Sequence, residues 1–183
     1  MNEIEQDAIV APTINEREQM LDHLMDEYSD AIVHLVFTYV KDHATAEDLT
    51  QDIFIKCYQK LDQFNNHSSL KTWVYRVAIN HCKDYIRSWH YRKISLTDMV
   101  FDIIPSKSRQ VEEEIVKNSE EQELADSVIS LPIPYREVVF LHYYEELTLA
   151  EISKMTGVNV NTLKTRLKRA KELLKERMKE DLR

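Results

Sequence analysis

Glycine occurs once in the 183 residues, at Gly157, and proline four times. β-Hairpin turns and phosphate-cradling loops draw on glycine, so a chain this poor in it is expected to be helical. Cysteine is scarce too. Cys57 and Cys82 stand far apart with no CxxC pair, which excludes a disulfide framework and a zinc site and predicts two buried, reduced thiols. No apolar run approaches membrane-spanning length. The acidic start, from Met1 to Asp7, lacks the apolar stretch of a signal peptide, so the expectation is a soluble cytoplasmic protein. The seven histidines are scattered without HExxH or a Glu-x-x-His pair and read as structural or surface groups. With no glycine-rich phosphate loop either, no enzyme, metal or cofactor chemistry is indicated.

What is present is an apolar content of 43%, enough for real cores, and an uneven distribution of charge under a net −8. Residues 1–70 hold 4 Lys/Arg against 14 Asp/Glu, and residues 94–157 hold 5 against 13. The signs reverse in residues 71–93, with 6 cations to 1 acid, and in residues 158–183, with 9 to 4. Two basic islands in an acidic chain point to two places that meet phosphate.

Residues 1–15 read as a polar, disordered tail. From residue 16 to 40, Met20, Leu21, Leu24, Tyr28, Ile32, Leu35, Val36 and Tyr39 recur at helical spacing. Thr45-Ala46-Glu47-Asp48 resembles a capping box and predicts a second helix burying Leu49, Ile53, Cys57 and Leu61, with Asp48, Gln51, Asp52, Ile55 and Gln59 on its other face. After a polar loop, a third helix is expected from Leu70 to about Tyr91. Periodicity is lost from residue 94 to 117, which predicts a flexible linker. Beyond it, Pro134 opens a helix toward Tyr144. Thr148-Leu149-Ala150-Glu151 caps a short one, Gly157 turns the chain, and a last helix buries Val160, Leu163, Leu167, Ala170 and Leu174. The expected fold is all-α: two small helical domains, at 16–93 and 118–183, joined by the linker, the second a helix–turn–helix.

Residues 158–171 carry five cations and no acid. A helix laid in the major groove presents polar and basic side chains near its N-terminus. Asn161, Lys164, Thr165 and Lys168 lie off the apolar stripe and suit base edges, while Arg166, Arg169 and Lys171 suit phosphates. In the other island, Trp73 and Tyr75 alternate with Lys71 and Arg76. Such interleaving suits stacking on unpaired bases. For Trp73 a place in the core is the stronger reading, and for Tyr75 the two readings balance. The acidic face around Asp48, Gln51 and Asp52 reads on its own as a solvated surface.

Four segments, in order, resemble an extracytoplasmic-function sigma factor of bacterial RNA polymerase. They are Ala46-Glu47-Asp48-Leu49-Thr50-Gln51-Asp52-Ile53-Phe54-Ile55-Lys56; Thr72-Trp73-Val74-Tyr75-Arg76-Val77-Ala78-Ile79-Asn80 with Asp84-Tyr85-Ile86-Arg87; Leu131-Pro132 with Tyr135-Arg136-Glu137-Val138; and Thr162-Leu163-Lys164-Thr165-Arg166-Leu167-Lys168-Arg169-Ala170. The resemblance implies that Asp48, Gln51, Asp52 and Ile55 dock on core polymerase. It implies that Asn65, Asn66, His67, Ser68 and Ser69, with Lys71 and Asn80, read the minus-ten element and hold a flipped base, and that Lys83, Arg87, Arg92 and Lys93 meet the adjoining duplex. By the same resemblance Asn161, Thr162, Lys164, Thr165, Arg166, Lys168, Arg169 and Lys171 read the minus-thirty-five element. Its partners would be core polymerase, promoter DNA and an anti-sigma factor anchored in the membrane, with no small-molecule substrate. The chain departs from the family pattern at Asp52, Leu70 and Asn161, where Glu, Phe and Gly are usual.

Two other readings stay open at the level of sequence. A free-standing helix–turn–helix regulator with a helical sensory domain would bind duplex DNA tightly without polymerase. A helical interaction module would touch polymerase and show no sequence preference.

Overall fold

The computed structural model describes residues 14–64, 68–97 and 119–180, which form helices joined by short loops, with no strand among them. The order is α1 (Ile14–Val40), α2 (His43–Gln59), a 3-10 turn (Leu61–Gln63), α3 (Leu70–Thr97), α4 (Ser119–Ser130), α5 (Ile133–Val139), a turn of π-helix (Phe140–Tyr144), α6 (Leu149–Thr156) and α7 (Val160–Glu180). Of the expected tail, residues 1–13 lie outside the described residues, and Ile14 and Asn15 open α1. The stretch read as linker begins later than expected, because α3 runs on to Thr97; its residues 98–117 lie outside the described residues.

The first unit packs α1 on α2 and α3. The stripe Leu24, Ile32, Leu35 and Val36 is fully buried, and Tyr28 and Tyr39 nearly so. It meets Ala46, Ile53 and Cys57 of α2 and Val74, Ala78, Ile79 and Cys82 of α3, all at 0% exposure. Complete burial of each large aliphatic side chain contributes about 1.5–3 kcal/mol. Burial pushes both thiols up to about 12, so Cys57 and Cys82 are inert core residues. At the join of α1 and α2 the sequence expectation needs correcting. The cap is Asp42, whose Oδ1 accepts from the Thr45 amide at 2.9 Å and the Thr45 hydroxyl at 2.6 Å, so Thr45 sits inside the helix. Lys41, in the left-handed region at φ 59°, ends α1 just before it.

The second unit closes around Leu131, Val138, Leu141, Ile152, Leu163 and Ala170. Arg136 is buried with them, at 2% exposure, and donates to the Ile129 carbonyl, fastening the end of α4 to α5. The capping box at α6 is present in full: Thr148 Oγ1 accepts from the Glu151 amide at 3.3 Å and Glu151 Oε2 accepts from the Thr148 amide at 2.8 Å. The Thr148 hydroxyl, donating to Glu151 Oε2 at 2.6 Å, and then the Thr148 amide hold the Glu151 carboxyl below its ordinary range. Gly157 ends α6 at φ 72° with nothing within 4 Å of where a Cβ would lie. Backbone conformation rather than space therefore requires glycine there. Asn159 then caps α7, its Oδ1 accepting from the Asn161 amide at 2.8 Å.

Candidate nucleic-acid interface

The helix–turn–helix, α6–Gly157–α7, leaves one face of α7 open. Leu163, Leu167 and Ala170 are buried, while Asn161, Thr162, Lys164, Thr165, Lys168, Arg169 and Lys171 are exposed. Some of their groups already have partners. The Thr165 hydroxyl donates to the Asn161 carbonyl at 3.0 Å, Arg169 pairs with Glu172 at 3.1 Å, and the Lys171 ammonium lies 5.4 Å from the centre of the Tyr143 ring. These are exposed interactions that a phosphate can displace at small cost. Arg166 differs: it is half-buried and turns away from this face toward Glu137, at 3.9 Å.

Between α2 and α3 lies a bowl of about 450 Å³ lined by Lys56, Lys60, Phe64, Ser68, Trp73, Arg76, Val77, Asn80, His81 and Asp84. The Phe64 and Trp73 rings meet at 5.4 Å and form one wall. Lys56 Nζ donates to His81 Nδ1 at 2.6 Å, and His81 Nε2 is 3.8 Å from Asp52 Oδ2. Burial, and then the Lys56 charge, lower the His81 pKa, so the ring is neutral near pH 7. The bowl thus offers a π surface, the cations Lys56, Lys60 and Arg76, of which Lys56 is fixed on His81, and the Asn80 amide, a combination suited to a base and its phosphate. Of the residues expected to read the minus-ten element, Ser68 and Asn80 line this bowl. Ser69 is spent on capping α3, its Oγ accepting from the Thr72 amide at 3.2 Å. Asn65, Asn66 and His67 lie outside the described residues, as do the side chains of Arg92 and Lys93.

The outer face of α2 carries Asp48, Gln51, Asp52 and Ile55, all exposed. Ile55 is 54% exposed among them.

The two units meet through polar clusters. Glu137 of α5, 4% exposed at its side chain, accepts from the Tyr39 hydroxyl of α1 and lies 3.0 Å from the Lys83 ammonium of α3. Glu145, 12% exposed, accepts from the Tyr75 hydroxyl of α3 and lies 3.4 Å from Lys71. Burial, reinforced by these carboxylates, raises both tyrosine hydroxyls well above their ordinary range, so they remain donors. Arg76 adds a bond to the Lys154 carbonyl at 2.9 Å. Lys71 and Lys83, expected on DNA, are therefore held at this junction, and Arg87 pairs with Asp84 on the surface of α3.

Sequence reasoning missed Lys56, Lys60, Phe64, Arg76 and His81 as one site. Lys56 and Lys60 recur at helical spacing on the side of α2 next to Asp52, which is the signal that pointed there. Trp73, read as core, is half-buried at the bowl's wall, and Tyr75 is fully buried. Glu137 and Glu145 gave no signal, since acids are seldom buried. Among the described residues no group of side chains could hold a metal ion, and no helix is long and apolar enough to cross a membrane.

Comparison with known proteins identifies both units of the chain. The family model for sigma-70 region 2 matches residues 24–91, and that for sigma-70 region 4 matches residues 121–174. The RNA polymerase sigma factor SigV of Bacillus subtilis (strain 168) is 33% identical over 162 residues, covering 88% of this chain and 90% of that protein. The ECF RNA polymerase sigma factor SigM of the same strain is 30% identical over 156 residues, covering 85% and 93%. Two solved structures share the fold: the sigma factor RpoE in complex with the anti-sigma factor NepR from Bartonella quintana (TM-score 0.68, 23% identity, 88% of this chain and 98% of that one), and CnrH in complex with the cytosolic domain of CnrY (TM-score 0.63, 18% identity, 90% of each). With both regions matched in order, and with relatives of this similarity along most of its length, the chain belongs to the extracytoplasmic-function sigma factors, which direct RNA polymerase to promoters.

Proposed function

We propose that the three surfaces divide the work of promoter recognition. The Asp48–Gln51–Asp52–Ile55 face of α2 seats the chain on the clamp helices of core polymerase. The bowl between α2 and α3 receives a base flipped from the non-template strand of the minus-ten element. The open face of α7 reads the minus-thirty-five element, with Asn161, Lys164, Thr165 and Lys168 toward base edges and Arg169 and Lys171 toward phosphates. The observation that carries this reading is the bowl, where an aromatic wall, a fixed ammonium and an amide converge beside the docking face of the same helix. Flipping a base costs a few kcal/mol. Polymerase binding on the other side of α2 supplies the anchorage for that cost.

On this reading the protein is a non-catalytic initiation subunit, needs no cofactor and works in the cytoplasm, where the polymerase is. Its second class of partner is an anti-sigma factor, membrane-anchored or soluble. Support comes from RpoE, solved in complex with the anti-sigma factor NepR, and from CnrH, solved in complex with the cytosolic domain of CnrY. The test is run-off transcription with purified core enzyme on genomic fragments. The expected result is discrete start sites dependent on the chain, lost in Trp73→Ala and Asn80→Ala while core binding persists. Start sites unaffected by both substitutions would remove the bowl from the mechanism.

A further inference from the structure

Two glutamates of the second unit, Glu137 and Glu145, repeat one arrangement at the junction with the first. Each takes a tyrosine hydroxyl and a lysine ammonium from the other unit, Tyr39 with Lys83 and Tyr75 with Lys71. Glu137 also draws in Arg166 from α7, at 3.9 Å. We propose that these carboxylates are internal decoys for promoter phosphate: in the free protein they occupy Lys71 and Lys83 across the junction, holding a closed form that DNA and polymerase must open, while Glu137 also occupies Arg166 from within its own unit. The inference goes beyond the division of work proposed above and rests on the contact of those three cations with DNA that the family resemblance implies.

The physics supports a latch rather than a permanent weld. A nearly buried carboxylate without partners is costly, so each glutamate requires its tyrosine and lysine while the units are docked. On opening, the carboxylates, ammoniums and hydroxyls all regain water, so no orphaned charge penalises the open form. Polar junctions of this kind within a chain permit relative motion of the units. The three cations keep 37%, 34% and 27% of their side chains exposed, so an incoming phosphate can reach them before the junction parts. Lysine and arginine accept carboxylate or phosphate interchangeably as a charge partner, and the outcome is set by which site is occupied. Closed and open forms then compete by population: if the open form is about a tenth of the free protein, removing the latch tightens apparent DNA affinity by about tenfold.

The experiment places a fluorophore pair on the full-length chain, one at Gln59 in the first unit and one at Lys175 in the second, both exposed. Energy transfer and binding to a labelled promoter duplex are measured without polymerase, for the parent, for Glu137→Gln/Glu145→Gln and for Tyr39→Phe/Tyr75→Phe. Circular dichroism checks that each variant folds, and the Phe pair, which removes only two hydroxyls, serves if the Gln pair does not. The expected result is reduced transfer and about tenfold tighter duplex binding, with the parent approaching the same transfer as salt is raised. Unchanged transfer in folded variants would overturn the closed form. Reduced transfer with unchanged affinity would overturn the decoy role. In that case Lys71→Ala, Lys83→Ala and Arg166→Ala, assayed in holoenzyme transcription, show whether the fault lies in their assignment to DNA.

Discussion

Lys56 Nζ and His81 Nδ1 are 2.6 Å apart across the α2–α3 groove, a lysine donating to a histidine that stays neutral to receive it. The charged groups facing the ring are Lys56 and Asp52 from α2 and Asp84 from its own helix. Burial and Lys56 together lower its pKa below the ordinary 6.5. The unfolded chain therefore binds a proton there more readily than the folded one. The stability this site contributes is complete above pH 6.5 and declines as pH falls below it. Urea titrations at pH 7.5 and 5.5 are expected to show a loss for the parent on acidification and a smaller loss for His81→Gln. An equal loss in both would place the acid sensitivity elsewhere.

Ile55 and Asp52 project from α2 into solvent, so their removal leaves the core untouched. Asp52→Ala and Ile55→Ala are expected to weaken association with core polymerase by about 1–2 kcal/mol, roughly tenfold, without moving the melting temperature. Competition against another sigma factor for limiting core enzyme measures this, and unchanged core affinity rejects the docking face.

On α7, Lys164→Ala and Arg169→Ala are expected to weaken recognition of the upstream element in different ways. Loss of a phosphate contact lowers affinity evenly across sequences and makes the slope of log K against log salt shallower by about 1. Loss of a base contact relaxes preference at one position. Salt-dependent binding of holoenzyme to promoter variants separates the two, with Arg169 expected in the first class and Lys164 in the second.

Gly157 supplies a test of the helix–turn–helix as a folded unit. Since a Cβ there would meet nothing within 4 Å, Gly157→Ala bears only the left-handed backbone penalty, about 1–2 kcal/mol. Gly157→Asn, which tolerates that conformation, should recover most of it. A loss in urea midpoint that is the same for both would mean that space, not φ, is the constraint.

How much of this was legible in the sequence depends on what each residue's neighbours along the chain could reveal. The stripes of α1 and α7 and the Thr148–Glu151 box are local patterns; the box and the middles of both stripes stand as read, while at the ends Met20 is exposed and Leu21, Val160 and Leu174 are only half-buried. The start of α2 was misplaced because Asp42 and Thr45 both suit a cap, and only the backbone turn at Lys41 decides between them. The aromatic wall needs Phe64 and Trp73 brought together across a loop, which no helical period encodes. Glu137 lay beyond reach for a further reason: its partners Tyr39 and Lys83 come from a separate unit more than fifty residues away, and solvent exposure is the ordinary state of a glutamate.

The turn Phe140–Tyr144 closes with the Glu145 amide bonded to the Phe140 carbonyl at 3.2 Å, one residue beyond the α-helical partner. That surplus residue works as a phase wedge. Each residue of an α-helix advances the chain by about 100°, so excising one here would swing the downstream segment around its axis, pull Glu145 off Tyr75 and re-aim α6 and α7 while every motif residue kept its identity. Promoter spacing tolerated by such a deletion would differ from the parent's although not one DNA-facing side chain had changed.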